Sequence, residues 1–319
     1  MLLLIKIHPA AALLKHYLMN IFFCLTSILI LVFPYGGNTQ STPVLQQKIL
    51  QIISEKKAVI GVSINNGNGD SVLTVNGNKH FPMQSVFKLH IALAVLSKMD
   101  SGKIKPDQKI AISKNDLLPN LYSPIREQYP NGVALSIETI LKYTVSESDN
   151  VGCEALLRLI GGPKVVEDYF LRNNFNDVSI KVNEEQQQGN WELQFQNWTT
   201  PNAANKVLQA FYYNRQKLLS KKSHHFIWQL MKQTTTGKKR LKGLLPPNII
   251  VAHKTGSSGT NKQGVTAAVN DIGIVFLPNN KHFFISVFVT ESKEDAETNE
   301  KIIADIAKAA WDYFSLRKQ

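Results

Sequence analysis

Apolar and polar positions along the chain fall into runs of two different periods. Thr42 to Lys57 sets Val44, Leu45, Ile49, Leu50, Ile52 and Ile53 on one broad helical face. AVIGVSINN (58–66) and SVLTVNG (71–77) then alternate as strands do, with Gly67 to Asp70 as the turn between them. Helical spacing takes over from Ser85 to Met99 and returns at Ser136–Thr144, Asn150–Ile160, Lys164–Asn173, Thr200–Asn214 and Lys221–Thr234. Ser179–Thr199 interrupts this series: it is polar, rich in Gln and Asn and poor in core-forming residues. It is predicted as a long loop, and long loops inside compact domains are usually functional or disordered. Alternation resumes at Ile249–Lys254, Val265–Phe276 and His282–Thr290, with Pro278, Asn279 and Asn280 turning the last pair, and Ala296–Leu316 closes the chain as an amphipathic helix.

Strands at both ends with helices between them predict an α/β chain of the α+β type. An antiparallel sheet built from both termini and flanked by helices lies beside an all-helical lobe, with the active site in the cleft between them. The sheet lobe is expected from 41–80 plus 245–319, the helical lobe from 81–244, and together they form one catalytic domain over 41–319. Ahead of it, IFFCLTSILILVFP (21–34) is too short to span a bilayer comfortably and has the length of an export-signal core. A signal peptide over 1–37 is expected, cleaved between Tyr35 and Thr42, so that the mature chain is periplasmic. Retention of the segment as a membrane anchor is the competing reading. Lys15 and His16 before Met19 make Met19 an alternative start, and Phe23 before Cys24 argues against a lipoprotein.

Composition removes several classes. With 44% hydrophobic and 19% charged residues the chain is neither disordered nor fibrous. Cys24 and Cys153 are the only cysteines, so a processed chain keeps one thiol, which excludes an internal disulfide and a cysteine-ligated zinc site. Cys153 lies in an apolar helical stretch and is expected to be packed and inert. His224 and His225 are adjacent and diverge, so no metal and no cofactor are expected. The net charge of +12 permits an anionic partner. Lys238, Lys239, Arg240 and Lys242 form the densest basic cluster, but no nucleic-acid module accompanies it, and apart from Arg240 it reads as a solvated face.

Three short motifs carry the chemistry: Ser85-Val86-Phe87-Lys88, Ser148-Asp149-Asn150 and Lys254-Thr255-Gly256. Ser-x-x-Lys alone is weak, since it also occurs at Ser54/Lys57 and Ser315/Lys318. The other two triplets each occur once, and their order and separation make coincidence implausible. At the first turn of a helix, Ser85 would meet unpaired N–H groups and the positive end of the dipole, with Lys88 on the same face. A hydroxyl needs a neighbouring base, and a desolvated Lys crowded by a second cation, Lys254, becomes one. On its strand Lys254 leaves Thr255 facing the other way, and Gly256 lets a substrate backbone approach without a Cβ in the way. The N–H groups of Ser257 and Ser85 would form an oxyanion hole. Ser148 would relay a proton and Asn150 would hold a substrate amide. His253 alternates away from Lys254 and is expected in core or surface rather than cleft.

These motifs, with PMQSVFKLH, YTVSESDNVGCEALLRLIGG, FQNWT, TTTGKKRLKGLLP and VAHKTGSSG, make the chain resemble a class A serine beta-lactamase over residues 45 to 315, nearest its PER-like extended-spectrum branch. The resemblance implies hydrolysis of the beta-lactam ring of penicillins and cephalosporins through a serine acyl-enzyme. It makes Ser85 the nucleophile, Lys88 its partner, Ser148 the proton relay and Asn150 a substrate-amide contact. Lys254, Thr255 and Ser257 would bind the substrate carboxylate, reinforced by Arg240, and Tyr122 of LLPNLYSP would be an aromatic gatekeeper at the cleft edge, its alternative being plain core. Counting back from FQNWT makes Glu184 of VNEEQQQGN the activator of the deacylating water. Where most members carry Pro after that Glu and Asn four residues after it, this chain has Glu185 and Gln188. Glu185 therefore remains a rival base, and Gln188 would help orient the water. The partner implied is a small-molecule beta-lactam, with no nucleic acid, no stable membrane association after cleavage and a monomeric chain. A penicillin-binding D,D-peptidase and a non-turnover beta-lactam sensor share the three motifs and stand as alternatives.

Overall fold

The computed structural model describes residues 41–278 and 280–315. The expected signal peptide with Cys24, the turn residue Asn279 and the last helical residue Leu316 lie outside the described residues. In chain order the elements are α1 (Ser41–Ile53), β1 (Val59–Asn65), β2 (Ser71–Val75), β3 (Phe81–Pro82), α2 (Phe87–Asp100), β4 (Lys109–Ser113), α3 (Pro124–Gln128), β5 (Gly132–Ser136), α4 (Ile137–Ser146) and α5 (Asn150–Ile160). They continue with α6 (Pro163–Arg172), β6 (Val178–Ser179), α7 (Glu184–Gly189), β7 (Trp198–Thr199), α8 (Pro201–Tyr213), α9 (Lys221–Lys232), β8 (Val251–Ser257), β9 (Val269–Phe276), β10 (His282–Thr290) and α10 (Ala296–Ser315). Among the described residues no helix is long and apolar enough to cross a membrane.

Five strands form an antiparallel sheet in the order β2-β1-β10-β9-β8, so the strands nearest the two ends of the domain meet at the β1–β10 ladder, where Val62 faces Val287. Alternation sorts β10 into two cores. Phe283, Ile285, Val287 and Val289 join Leu45, Ile49, Ile302 and Ile306 beneath α1 and α10. Phe284 and Phe288 point the other way, into the larger core with α2, α4, α5 and α8. Each such side chain contributes about 1.5 to 3 kcal/mol on full burial, which pins the register, because a one-residue slip would exchange the two sets.

Local signals set the helix boundaries. Ser136, Asp149, Thr200 and Ser220 cap α4, α5, α8 and α9, each accepting a backbone N–H with its side chain. Gly161, at φ 101°, ends α5 in the left-handed conformation that glycine adopts freely.

The segment 179–199 departs from the loop expectation. It carries α7, a 3-10 turn over Leu193–Gln196, and β7, which pairs with both β3 and β6. Buried side-chain amides replace the missing apolar core. Asn197, fully buried, accepts N–H groups from Lys181 (2.8 Å) and Val182 (3.1 Å) through Oδ1 and donates from Nδ2 to the Val182 carbonyl (2.8 Å). The two-stranded β4–β5 sheet, with Ile110 opposite Leu135, was not predicted by the apolar pattern.

Candidate active site

Ser85 lies on a 3-10 turn, Gln84–Val86, that leads directly into α2. The turn starts from Gln84 at φ 48°, a left-handed conformation unusual for a side-chain-bearing residue, held by a 2.7 Å bond from Gln84 Nε2 to Gln194 Oε1. Ser85 itself is half-buried and reachable. One helical turn on, Lys88 is fully buried and its ammonium group has three acceptors: Ser85 Oγ at 2.7 Å, Asn150 Oδ1 at 2.7 Å and the Glu184 carboxylate in direct contact. A lysine ammonium has three N–H donors, so this set accounts for all of them.

The second motif sits at the start of α5. Ser148, at φ 60°, is turned so that its Oγ accepts from Lys254 Nζ at 2.9 Å. Asp149, to which the sequence assigned no task, caps α5 through Gly152 N and accepts from Ser123 Oγ (2.8 Å) and Ile125 N (2.7 Å). It thereby fixes the segment carrying Tyr122, whose carbonyl accepts the Asn150 N–H at 3.0 Å. Tyr122 is 53% exposed, which removes the plain-core alternative and leaves a rim position.

Lys254 is fully buried on β8, the edge strand of the sheet, and Thr255 Oγ1 lies 2.6 Å from Thr236 Oγ1. Burial, and then Lys88 nearby, push Lys254 well below the usual lysine range, while Asp271 and Glu184 oppose that. Ser258 N bonds Ala268 O across the ladder, so the neighbouring Ser257–Val269 pair is a non-bonded one and the Ser257 N–H points outward from the sheet edge. Arg240 reaches this strand end, donating to Ser257 Oγ (2.6 Å) and to the carbonyls of Gly256 and Asn270 (3.0 Å each), with Glu300 on its Nε at 3.1 Å. Lys238 and Lys239 are exposed.

Gly256 corrects the sequence reading. A Cβ there would lie 2.4 Å from the Met83 carbonyl oxygen, so the missing side chain lets β8 close on the turn bearing Ser85 rather than clearing space for a substrate backbone.

Glu184 is 2% exposed and starts α7, whereas Glu185 and Gln188 are exposed on that short helix. Gln187 is buried on the same side as Glu184. Neither the capping box of Asn183 and Gln186 nor the contribution of Glu154 was anticipated. Glu154, one turn after Asn150 on α5, accepts the Glu184 N–H at 2.6 Å and the Glu185 N–H at 3.3 Å. Burial raises its carboxyl above the ordinary range, and the Glu184 charge adds to that. An i, i+4 pair of a polar amide and a carboxylate was the available sequence signal, but only tertiary contact shows what it grips. Cys153 is fully buried and burial pushes its thiol well up, in keeping with a packed, inert role.

The chain matches the model of the beta-lactamase enzyme family over residues 44–314. It is 54% identical over 287 residues to beta-lactamase VEB-1 of Pseudomonas aeruginosa, covering 90% of this chain and 96% of that one. With the extended-spectrum beta-lactamase PER-1 of the same organism it shares 39% over 294 residues, 92% of this chain and 94% of the relative. The crystal structure of TLA-1 extended-spectrum beta-lactamase superposes with a TM-score of 0.83 at 48% identity, covering 86% of this chain and 99% of the other. The chain belongs to the class A beta-lactamases, serine enzymes that hydrolyse beta-lactams. Within them it stands in the extended-spectrum branch of VEB-1, PER-1 and TLA-1.

Proposed function

We propose that hydrolysis runs through an ester on Ser85, with the roles divided between two ends of the cleft. Glu184 takes a proton from Lys88, and the free amine takes one from Ser85 Oγ as that oxygen bonds the lactam carbonyl carbon. The N–H groups of Ser85 and Ser257 receive the developing oxyanion. The lactam C–N bond breaks, and its nitrogen takes a proton from Ser148 Oγ, resupplied from Lys254. Glu184 releases the proton it holds to solvent, from which Lys254 recovers one, and then removes a proton from water as the water oxygen bonds the ester carbon; the ester C–O bond breaks, Ser85 Oγ recovers its hydrogen from Lys88, and Glu184 returns one to Lys88. Asn150 holds the substrate amide; Lys254, Thr255, Ser257 and Arg240 hold its carboxylate; Gly256 sets the strand position and Tyr122 edges the cleft. Gln188 assists the water from the exposed side of α7. The substrates are penicillins and cephalosporins, and the enzyme acts as a periplasmic monomer over 41–319 after loss of 1–37.

The observation that carries this reading is the contact of one buried amine, Lys88, with Ser85, Asn150 and Glu184 together. It favours Glu184 over Glu185, whose side chain is exposed. The test is intact-mass spectrometry and burst kinetics with a chromogenic cephalosporin. Glu184→Ala is expected to release about one product per enzyme and stall with a long-lived adduct on Ser85: Lys88 can give its proton to solvent and still serve as base for Ser85, whereas attack of water on the ester loses its positioned base, a contribution of roughly a hundred to ten thousandfold. Glu185→Ala is expected to turn over nearly normally. A stall in Glu185→Ala with turnover in Glu184→Ala would move the base by one residue, and an adduct on Ser85→Ala would remove the nucleophile.

A further inference from the structure

Three cations converge on the cleft from buried positions, and they are not equally compensated. Lys88 touches the Glu184 carboxylate, and Arg240 has Glu300 at 3.1 Å. Lys254, fully buried, bonds among the described residues only a hydroxyl and a carbonyl, Ser148 Oγ at 2.9 Å and Thr255 O at 3.1 Å. A desolvated ammonium without a carboxylate is costly.

On the opposite face of the sheet lies a carboxylate with no Lys or Arg in contact among the described residues. Asp271, fully buried on β9, faces Thr255 in the register, next to Lys254. Its hydrogen-bond partners are His253 Nδ1, 3.0 Å from both carboxylate oxygens, and Leu241 N at 3.2 Å. A carboxylate only accepts, so Nδ1 carries the hydrogen. His253 Nε2 is buried and has no hydrogen-bond partner among the described residues, so a second ring proton would be a stranded donor.

We propose that the His253–Asp271 pair is the counter-charge of Lys254: Asp271 supplies, across the sheet, the anion that keeps the ammonium of Lys254 charged for capture of the substrate carboxylate, and His253 holds that anion in place. Both are positioning residues, since neither faces the cleft. The charged groups acting on Lys254 are Lys88 from α2, Glu184 from α7, Arg240 from the segment before β8, and Asp271 from β9. Lys242, the other cation that feels Asp271, is half-buried. The inference rests on the proposed role of Lys254 in binding the carboxylate.

The pH profile of kcat/KM for a carboxylate-bearing cephalosporin tests it, because that profile reports ionisations of the free enzyme. Asp271→Asn is expected to move the alkaline limb down by about one pH unit or more, with KM carrying the change and activity at pH about 6 nearly retained. His253→Phe, which leaves the carboxylate without its donor, is expected to move the limb the same way by less, and His253→Asn, whose Nδ2 stands where Nδ1 stood, to restore it. The His253 variants decide the matter should Asp271→Asn not fold. A folded Asp271→Asn with the wild-type limb overturns the proposal, as does an equal, pH-independent loss in His253→Phe and His253→Asn. Lys254→Ala separates the two levels. If it leaves KM unchanged, the role of Lys254 itself fails; if it raises KM while the Asp271→Asn limb stays put, only the counter-charge fails.

Discussion

Two buried ionisable residues of the site, Lys254 beside Ser148 and Glu184 beside Lys88, are held by the chain in different ways. Lys254 rides on β8, whose ladder to β9 runs from Val251–Val275 to Ser257–Val269 and is backed by apolar side chains on both faces. Glu184 rides on a one-and-a-half-turn helix in a polar segment, held by Asn183, Glu154 and Asn197. The end proposed to bind the substrate carboxylate is therefore part of the core, whereas the end proposed to activate water is attached to it by a few side-chain hydrogen bonds. Each of those bonds contributes roughly 0.5 to 1.5 kcal/mol, more where a buried partner would be left unpaired. Perturbing single polar residues should separate deacylation from acylation on the second side and not on the first.

After the loss of Glu184 itself, the largest effect is expected at Lys254. Lys254→Met should lower kcat/KM about ten to a hundredfold, since a charge-assisted contact contributes roughly 1.5 to 3 kcal/mol. Yet its thermal midpoint should rise, by roughly 2 to 4 °C for each kcal/mol of relieved burial cost in a chain of this size. The sign follows from the depressed lysine: the fold binds its proton less tightly than the unfolded chain does. The cost is therefore fully present below the folded-state value and fades as pH rises toward the unfolded one. Calorimetry at neutral and alkaline pH should show the gain shrinking upward. A fall in midpoint at neutral pH would mean that the lysine stabilises the strand.

Next comes Asn197→Ala, which strands the Lys181 and Val182 N–H groups and the Val182 carbonyl. A loss of about 1 to 3 kcal/mol for each buried group left unpaired is expected to fall on 179–199. Hydrogen exchange should report it as lost protection there while β8 and β9 remain protected. Uniform loss across the sheet would contradict the separation drawn above.

A smaller effect is expected from Glu154→Ala. With the Glu184 and Glu185 N–H groups unpaired, deacylation should slow by about tenfold while acylation of Ser85 stays near wild type, read by single-turnover mass spectrometry. Equal slowing of both steps would place Glu154 in the shared scaffold. The smallest is Cys153: thiol reagents should leave the native enzyme unlabelled and fully active, because the group is buried and its thiolate disfavoured. Inactivation that substrate prevents would contradict this.

What the chain states by itself is whatever depends on period and on short-range order. The alternation of β1, β8, β9 and β10 and the helical faces of α5, α8 and α10 are written within a few residues of where they act. So are Ser85 with Lys88, adjacent on one helical turn, and the outward Ser257 N–H, which follows from strand alternation once the ladder is set. Tertiary structure decided the pairings between distant segments: Lys88 with Glu184, Lys254 with Ser148, Glu154 with the start of α7, His253 with Asp271. It also gave 179–199 its order and Gly256 its reason. Hydrophobic periodicity encodes which face of an element is buried but not which element covers it, and a polar side chain carries no mark of the partner it will meet. Those choices are made when the two faces of the sheet find their helices, because only then does burial make each unpaired polar group costly enough to select one neighbour.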